Sequence, residues 1–205
     1  MSQFHRPRGL AGLVVGWEMA LRPSNRRRNH WAVSLLDVQP TDHLLEIGVG
    51  PGIAIREAAR RATRGHVVGI DHSAEMVRQA TRRNHAAVRA GRVELRQAAV
   101  DVLPPFNWIF DKVLVVNSLG FWPGPVNRLV EIRSLMRDGG VIAIVSQPRC
   151  PGATSEHTDR AEREIGQQLQ AAGFGDIRSE RLGLDPPVTC VRGTRPASQL
   201  RPRNR

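Results

Sequence analysis

Short apolar runs and stretches of helical periodicity alternate along this chain. Leu44-Leu45-Glu46-Ile47 is a buried-strand pattern that delivers the chain into Gly48-Val49-Gly50-Pro51-Gly52, and Ile53, Ala54, Ile55, Ala58 and Ala59 then recur at helical spacing. The pattern predicts strand, glycine turn and helix, with the helix over residues 53–62. Further strands are predicted over 66–71, 93–97, 111–116, 141–145, 174–181 and 188–193. Further helices are predicted over 73–87, with Ser73 as N-cap, over 125–137, where Val126, Leu129, Val130, Ile132 and Leu135 form one stripe, and over 158–172. Ahead of the first strand, residues 12–21 and 29–38 read as two short helices around an arginine-rich loop over 23–29, and Gln39-Pro40-Thr41-Asp42 reads as a turn.

The glycine turn is the first candidate site. Gly48, Gly50 and Gly52 lack a Cβ and tolerate positive φ, so a ligand can approach the backbone there. The start of the following helix offers N–H groups that favour an anionic ligand group. Val67-Val68-Gly69-Ile70 ends in Asp71, a carboxylate 19 positions after Gly52. In a doubly wound sheet it stands beside the first turn, where it can accept hydrogen bonds from a ribose diol. That geometry suits a dinucleotide or S-adenosylmethionine (SAM). A dinucleotide turn has its third glycine one position later, where this chain has Ile53.

Four landmarks in order resemble the class I SAM-dependent methyltransferases. Leu45-Glu46-Ile47-Gly48-Val49-Gly50-Pro51-Gly52 resembles the family's first motif, and Gly69-Ile70-Asp71-His72-Ser73-Ala74-Glu75-Met76 its second. Phe110-Asp111-Lys112-Val113 through Asn117 resembles the fourth strand, and Leu135-Met136-Arg137-Asp138-Gly139-Gly140-Val141-Ile142 the turn into the fifth. The resemblance covers residues 40–194. It implies a Rossmann-like α/β fold, a mostly parallel seven-stranded sheet with its last strand antiparallel and helices on both faces. It implies methyl transfer from SAM to a small-molecule acceptor.

By the same resemblance Glu46, Gly48, Gly50, Gly52, Asp71, His72, Met76 and Asn117 are cofactor-binding candidates, with His72 and Met76 against adenine. The acid that usually receives the adenine amino group falls at Ala99, so backbone at Ala99 and Val100 is expected to read adenine instead. Asp101 lies two positions on, over ~6 Å along an extended chain. An N-terminal segment commonly covers the pocket in this family, which makes Arg26, Arg27, Arg28, His30 and Trp31 pocket candidates. His30 is the candidate base, and Trp31 and Trp122 are the candidate substrate contacts. A nicotinamide oxidoreductase and a non-catalytic SAM-fold binding protein are the alternative readings.

Composition and charge narrow the partners. The formal charge is +11. Residues 1–28 and 190–205 each contribute +5, leaving +1 for the remainder, so the basicity belongs to the ends and implies no specific nucleic-acid partner. Aromatic platforms for stacking bases are absent, with no tyrosine in the chain. Cys150 and Cys190 have no metal-ligand spacing, and no metal is expected. No apolar run reaches the ~18 residues of a membrane span, and Glu18 interrupts the apolar run 10–17. The expectation is a cytoplasmic protein without membrane association, divided into an N-terminal helical cap over 1–38, a SAM-binding core over 39–195 and a basic tail over 196–205. The sequence assigns no oligomeric state.

Overall fold

A computed structural model describes residues 23–197. The expected helix over 12–21 and nearly all of the basic tail lie outside the described residues. A seven-stranded sheet forms the centre, in the order β3-β2-β1-β4-β5-β7-β6. The strands are β1 (His43–Ile47), β2 (His66–Asp71), β3 (Val93–Gln97), β4 (Phe110–Val116), β5 (Met136–Ser146), β6 (Gly175–Leu182) and β7 (Val188–Thr194). The first five pair in parallel, and β7 runs antiparallel to both β5 and β6. The strand order reverses between β1 and β4, which opens a crevice at their carboxyl ends.

Both sheet faces are covered, which is why the central strands are continuously apolar. Leu44, Val67, Leu114, Ala143 and Val145 point to one face, beneath α1 (Pro23–Leu35), α2 (Ile53–Arg61), α3 (Ala74–Arg83) and α4 (His85–Arg89). Leu45, Ile47, Val68, Ile70, Val113, Val115, Ile142 and Ile144 point to the other, beneath α5 (Pro125–Ser134) and α6 (Ser155–Ala171). Strand alternation puts Glu46 on the face of Leu44, and Asp71 on the face of Val67 and Gly69.

Three local expectations are corrected. The arginine-rich stretch 23–29 is helical and continuous with the next residues, forming α1 in place of a loop followed by a helix over 29–38. Asn25, Arg28, Asn29, Ala32, Val33 and Leu36 are buried at spacings of three and four. The stripe is therefore amphipathic in geometry, but its first half is polar, and apolar periodicity cannot register it. The helix predicted over 73–87 breaks at Asn84, whose side-chain amide donates to Ala80 O at 2.8 Å and to Gly52 O at 3.1 Å. The helix predicted to reach 137 ends at Ser134. Asp138-Gly139-Gly140 bulges within β5, between the Phe110–Met136 and Lys112–Val141 pairs.

Asn84 joins the end of α3 to the glycine turn through buried hydrogen bonds. Asn84→Ala is expected to cost about 1–3 kcal/mol of unfolding free energy in urea, from the two buried side-chain hydrogen bonds it loses.

Candidate active site

The turn after β1 is held to the end of β2 by its own backbone. Gly48 and Val49 both donate to Ile70 O, at 2.8 and 3.2 Å, and Gly52 donates to Val49 O at 3.0 Å. Gly50 N–H donates to Asp71 Oδ2 at 2.9 Å, while Ser73 N–H donates to Asp71 Oδ1 at 2.9 Å. Across the crevice Ser118 Oγ donates to Ile47 O at 2.9 Å, and a Cβ on Gly48 would lie 2.7 Å from Ser118 Cβ. The loops after β1, β2 and β4 thus form one connected rim.

The glycines have different tasks. A Cβ on Gly52 (φ +75) would lie 2.8 Å from the Cα and Cβ of Ala80, so this glycine lets α3 close on the turn. At Gly50 (φ +50) a Cβ would meet nothing within 4 Å, so the turn faces open space at this residue.

Beneath the turn lie two carboxylates. Glu46 is 1 % exposed, and Oε2 has no hydrogen-bond partner. Its carboxylate accepts from Ile55 N–H, capping the first turn of α2, where the N-cap residue Gly52 has no side chain to do so. Burial, and next the charge of Asp71, push Glu46 well above the usual carboxylate range. Asp71 is also buried, and burial raises its pKa against the lowering effect of the two backbone N–H groups. The sequence-based expectation of an anion site is therefore corrected: the N–H groups of Gly48, Val49, Gly50 and Gly52 are engaged within the protein, and the floor is acidic. The arrangement attracts a cationic hydrogen-bond donor.

The other sequence candidates divide between the rim and the core. His72 is exposed beside Asp71, with Nδ1 3.5 Å from Asp71 Oδ1, and Met76 is buried in the first turn of α3. Ala98 N–H donates to Asp71 O at 3.0 Å, so Ala99 and Val100 follow at the end of β3 beside the rim. Asp101 is exposed in a turn closed by Val102 N–H to Ala99 O at 3.2 Å. Asn117 ends β4 with φ +53; its Oδ1 accepts from Gln147 N–H at 2.8 Å, and its Nδ2 is buried without a partner. Trp31 is partly buried against the core cluster of α1 and α2. Trp122 is buried in the opposite cluster, and the exposed aromatic of that loop is Phe121. His30 Nδ1 lies 3.2 Å from Glu57 Oε2 and bridges α1 to α2.

Sequence reasoning did not single out Ser118, Asn84 or Gln147. Gln147 follows β5 directly, and the carboxyl-end rule applied to β4 would also have found it.

A doubly wound sheet with a glycine turn, an acid ending the second strand and a switch-point crevice defines a cofactor-binding α/β enzyme. The family described as "Methyltransferase domain" matches residues 44–140. The uncharacterized methyltransferase YdaC of Bacillus subtilis is 30% identical over 187 residues, covering 91% of this chain and 100% of the relative. A trans-aconitate 2-methyltransferase of Paracidovorax citrulli is 28% identical over 163 residues, covering 77% of this chain and 59% of that protein. The crystal structure of a SAM-dependent methyltransferase from Aquifex aeolicus superposes with a TM-score of 0.69 at 19% identity, over 87% of this chain and 97% of that one. The chain belongs to the class I SAM-dependent methyltransferases. It is an enzyme that transfers a methyl group from SAM, and the nicotinamide and non-catalytic alternatives fall away.

The two glycines separate by experiment. Gly50→Ala is expected to cost about 1–2 kcal/mol, the ordinary expense of a left-handed non-glycine residue. Gly52→Ala should lose about 1–3 kcal/mol more, from overpacking against Ala80. Equal losses in urea unfolding would show that α3 yields to the new methyl group.

Proposed function

We propose that this protein methylates a small-molecule acceptor, with the cofactor seated over the glycine turn and held by Glu46 and Asp71. The observation that carries this reading is the unpartnered, buried Glu46 Oε2 next to Asp71 beneath the open face of Gly50. SAM carries a sulfonium and an ammonium, and an acidic floor complements both. Asp71 uses one lone pair of each oxygen on backbone N–H groups, which fixes its plane and leaves the others for two ribose hydroxyls. Glu46 accepts from the ammonium. His72 and Met76 flank adenine, whose edge is read by backbone at Ala99 and Val100. Gly48 and Gly52 shape the turn, and Asn117 borders the reacting centre. The segment up to residue 38 covers the crevice, residues 39–195 form the core, and the tail beyond is dispensable for binding.

SAM brings a methyl group already bonded to a good leaving group, so the protein's main work is to hold two reactants in line. A base is needed only for an acceptor that must lose a proton; His30, oriented by Glu57, is the candidate for that case. Trp31 and Trp122 would then act through the walls of the acceptor site.

A small acceptor is supported by the trans-aconitate relative and by the net charge of only +1 over residues 29–189. Among the described residues no helix is long and apolar enough to cross a membrane, and no His, Cys, Asp or Glu group could hold a metal ion. Cys150 and Cys190 are free thiols, in keeping with a cytoplasmic setting.

Asp71→Ala should weaken SAM binding by at least about tenfold in calorimetry while the protein stays folded, since hydrogen bonds to charged groups contribute ~1.5–3 kcal/mol. Unchanged affinity would sink the ribose assignment.

Glu46 supplies a pH test. Its folded pKa is raised, so its contribution to stability is complete below the usual carboxylate range, near ~4, and is lost as pH rises through the folded value. Above that window ligand-free Glu46→Gln should be more stable than the wild type. SAM affinity should rise with pH across the same window in the wild type and stay weak and flat in the variant.

A further inference from the structure

Arg28 lies on the polar stripe of α1 and is 2 % exposed. No carboxylate among the described residues pairs with it. Nη2 donates to Asn25 Oδ1, Nη1 donates to Gln147 Oε1 at 2.6 Å, and Nε is buried without a partner. Burial, and next the positive charge of Arg149, hold its pKa down to about 9. A buried cation left in this state is costly unless something else compensates it.

A second unsatisfied donor belongs to the same network. Gln147 accepts from Arg28 through its side chain and donates to Asn117 Oδ1 through its backbone N–H, while Asn117 Nδ2 is itself buried without a partner. Arg28 and Asn117 are thus linked through one residue at the carboxyl ends of β4 and β5, and each retains an unused N–H. Asp71 ends β2, three strand spacings or about 14 Å from the end of β5. Along the crevice edge the buried charge changes sign, from Glu46 and Asp71 at β1 and β2 to Arg28 at β5.

We propose that Arg28 and Asn117 bind a carboxylate of the methyl acceptor, so that the substrate class is acidic small molecules. The inference rests on the reading that a small acceptor enters this crevice opposite the acidic floor. Nε and the remaining N–H groups of the guanidinium form the planar fork that matches two carboxylate oxygens, and the Asn117 amide adds a donor. The site stands one strand beyond the β1–β4 crevice, on the opposite side of β4 from Glu46 and Asp71. Guanidinium recognition also restricts the choice: a neutral isostere would leave the arginine buried and unpaired, so discrimination by charge should be strong.

The test uses the full chain saturated with S-adenosylhomocysteine, with benzoate as the probe and benzamide as its uncharged isostere. Benzoate should raise Tm and bind measurably in calorimetry, and benzamide should do neither. Arg28→Met should weaken benzoate at least about tenfold, leave S-adenosylhomocysteine affinity within about twofold, and melt no lower than the wild type without benzoate. A structural arginine would lower Tm instead. If Arg28→Met does not fold, Arg28→Lys keeps the charge but loses the fork, and should weaken benzoate several-fold with the cofactor product unaffected. Equal responses of the wild type to benzoate and benzamide would overturn the proposal. So would an Arg28 variant that loses S-adenosylhomocysteine about tenfold but still binds 5′-methylthioadenosine, which lacks the carboxylate; the arginine would then belong to the cofactor. A wild type that does not bind S-adenosylhomocysteine at all would overturn the cofactor-site reading, and this proposal with it.

Discussion

The carboxylate of Asp71 sits where three elements meet. It ends β2, receives Gly50 N–H from the turn after β1, and receives Ser73 N–H at the start of α3. Through these bonds one side chain sets the distance between the glycine turn and the helix that closes over it, and Gly52 and Asn84 complete the closure. The sheet order makes this possible: β1 and β2 are parallel neighbours, so their carboxyl ends and the loops that follow come together at one edge. Fold and site therefore depend on the same contact.

The site is built from charges that the protein does not neutralise by itself. Glu46 and Asp71 are both buried, with the charge of Asp71 opposing the ionisation of Glu46, and among the described residues no carboxylate pairs with the buried Arg28. Such groups oppose folding and persist where function requires them. Their separation along the crevice matters: opposite charges that touched would cancel, whereas charges held apart at β1–β2 and at β5 can each meet a different ligand group. The same low-dielectric surroundings that make the unpaired groups costly strengthen their interaction with a complementary ligand.

Helix α1 connects these themes. Its second half, with Ala32 and Val33, and Leu36 just past its end are ordinary core, and Arg192 fastens the carbonyl of Leu35 to β7 at 2.8 Å. Its first half carries Asn25, Arg28 and Asn29 on the same buried stripe. The helix is thus anchored by its apolar end, and its polar half adds the Arg28–Gln147 hydrogen bond to the end of β5.

By itself the sequence determined the strands, the glycine turn and Asp71, because buried parallel strands write a continuous apolar signal and a tight turn demands glycine. Strand β2 has the bounds that its apolar run predicts, and the Ser73 cap is present, with its hydroxyl accepting from Met76 N–H at 3.4 Å. The tertiary structure alone decided which residues become buried at the price of their solvation. Arginines at 26–28 look like a solvated loop in a linear reading, and only the packing of α1 against the sheet turns Arg28 inward while leaving Arg26 and Arg27 exposed. The glycine turn likewise looked ready for an anion until β1 and β2 were side by side, where the turn's N–H groups find Ile70 and Asp71 and the floor beneath proves acidic. Local pattern records the backbone's needs, but the sign of a site's field is set by side chains that only the tertiary fold brings together.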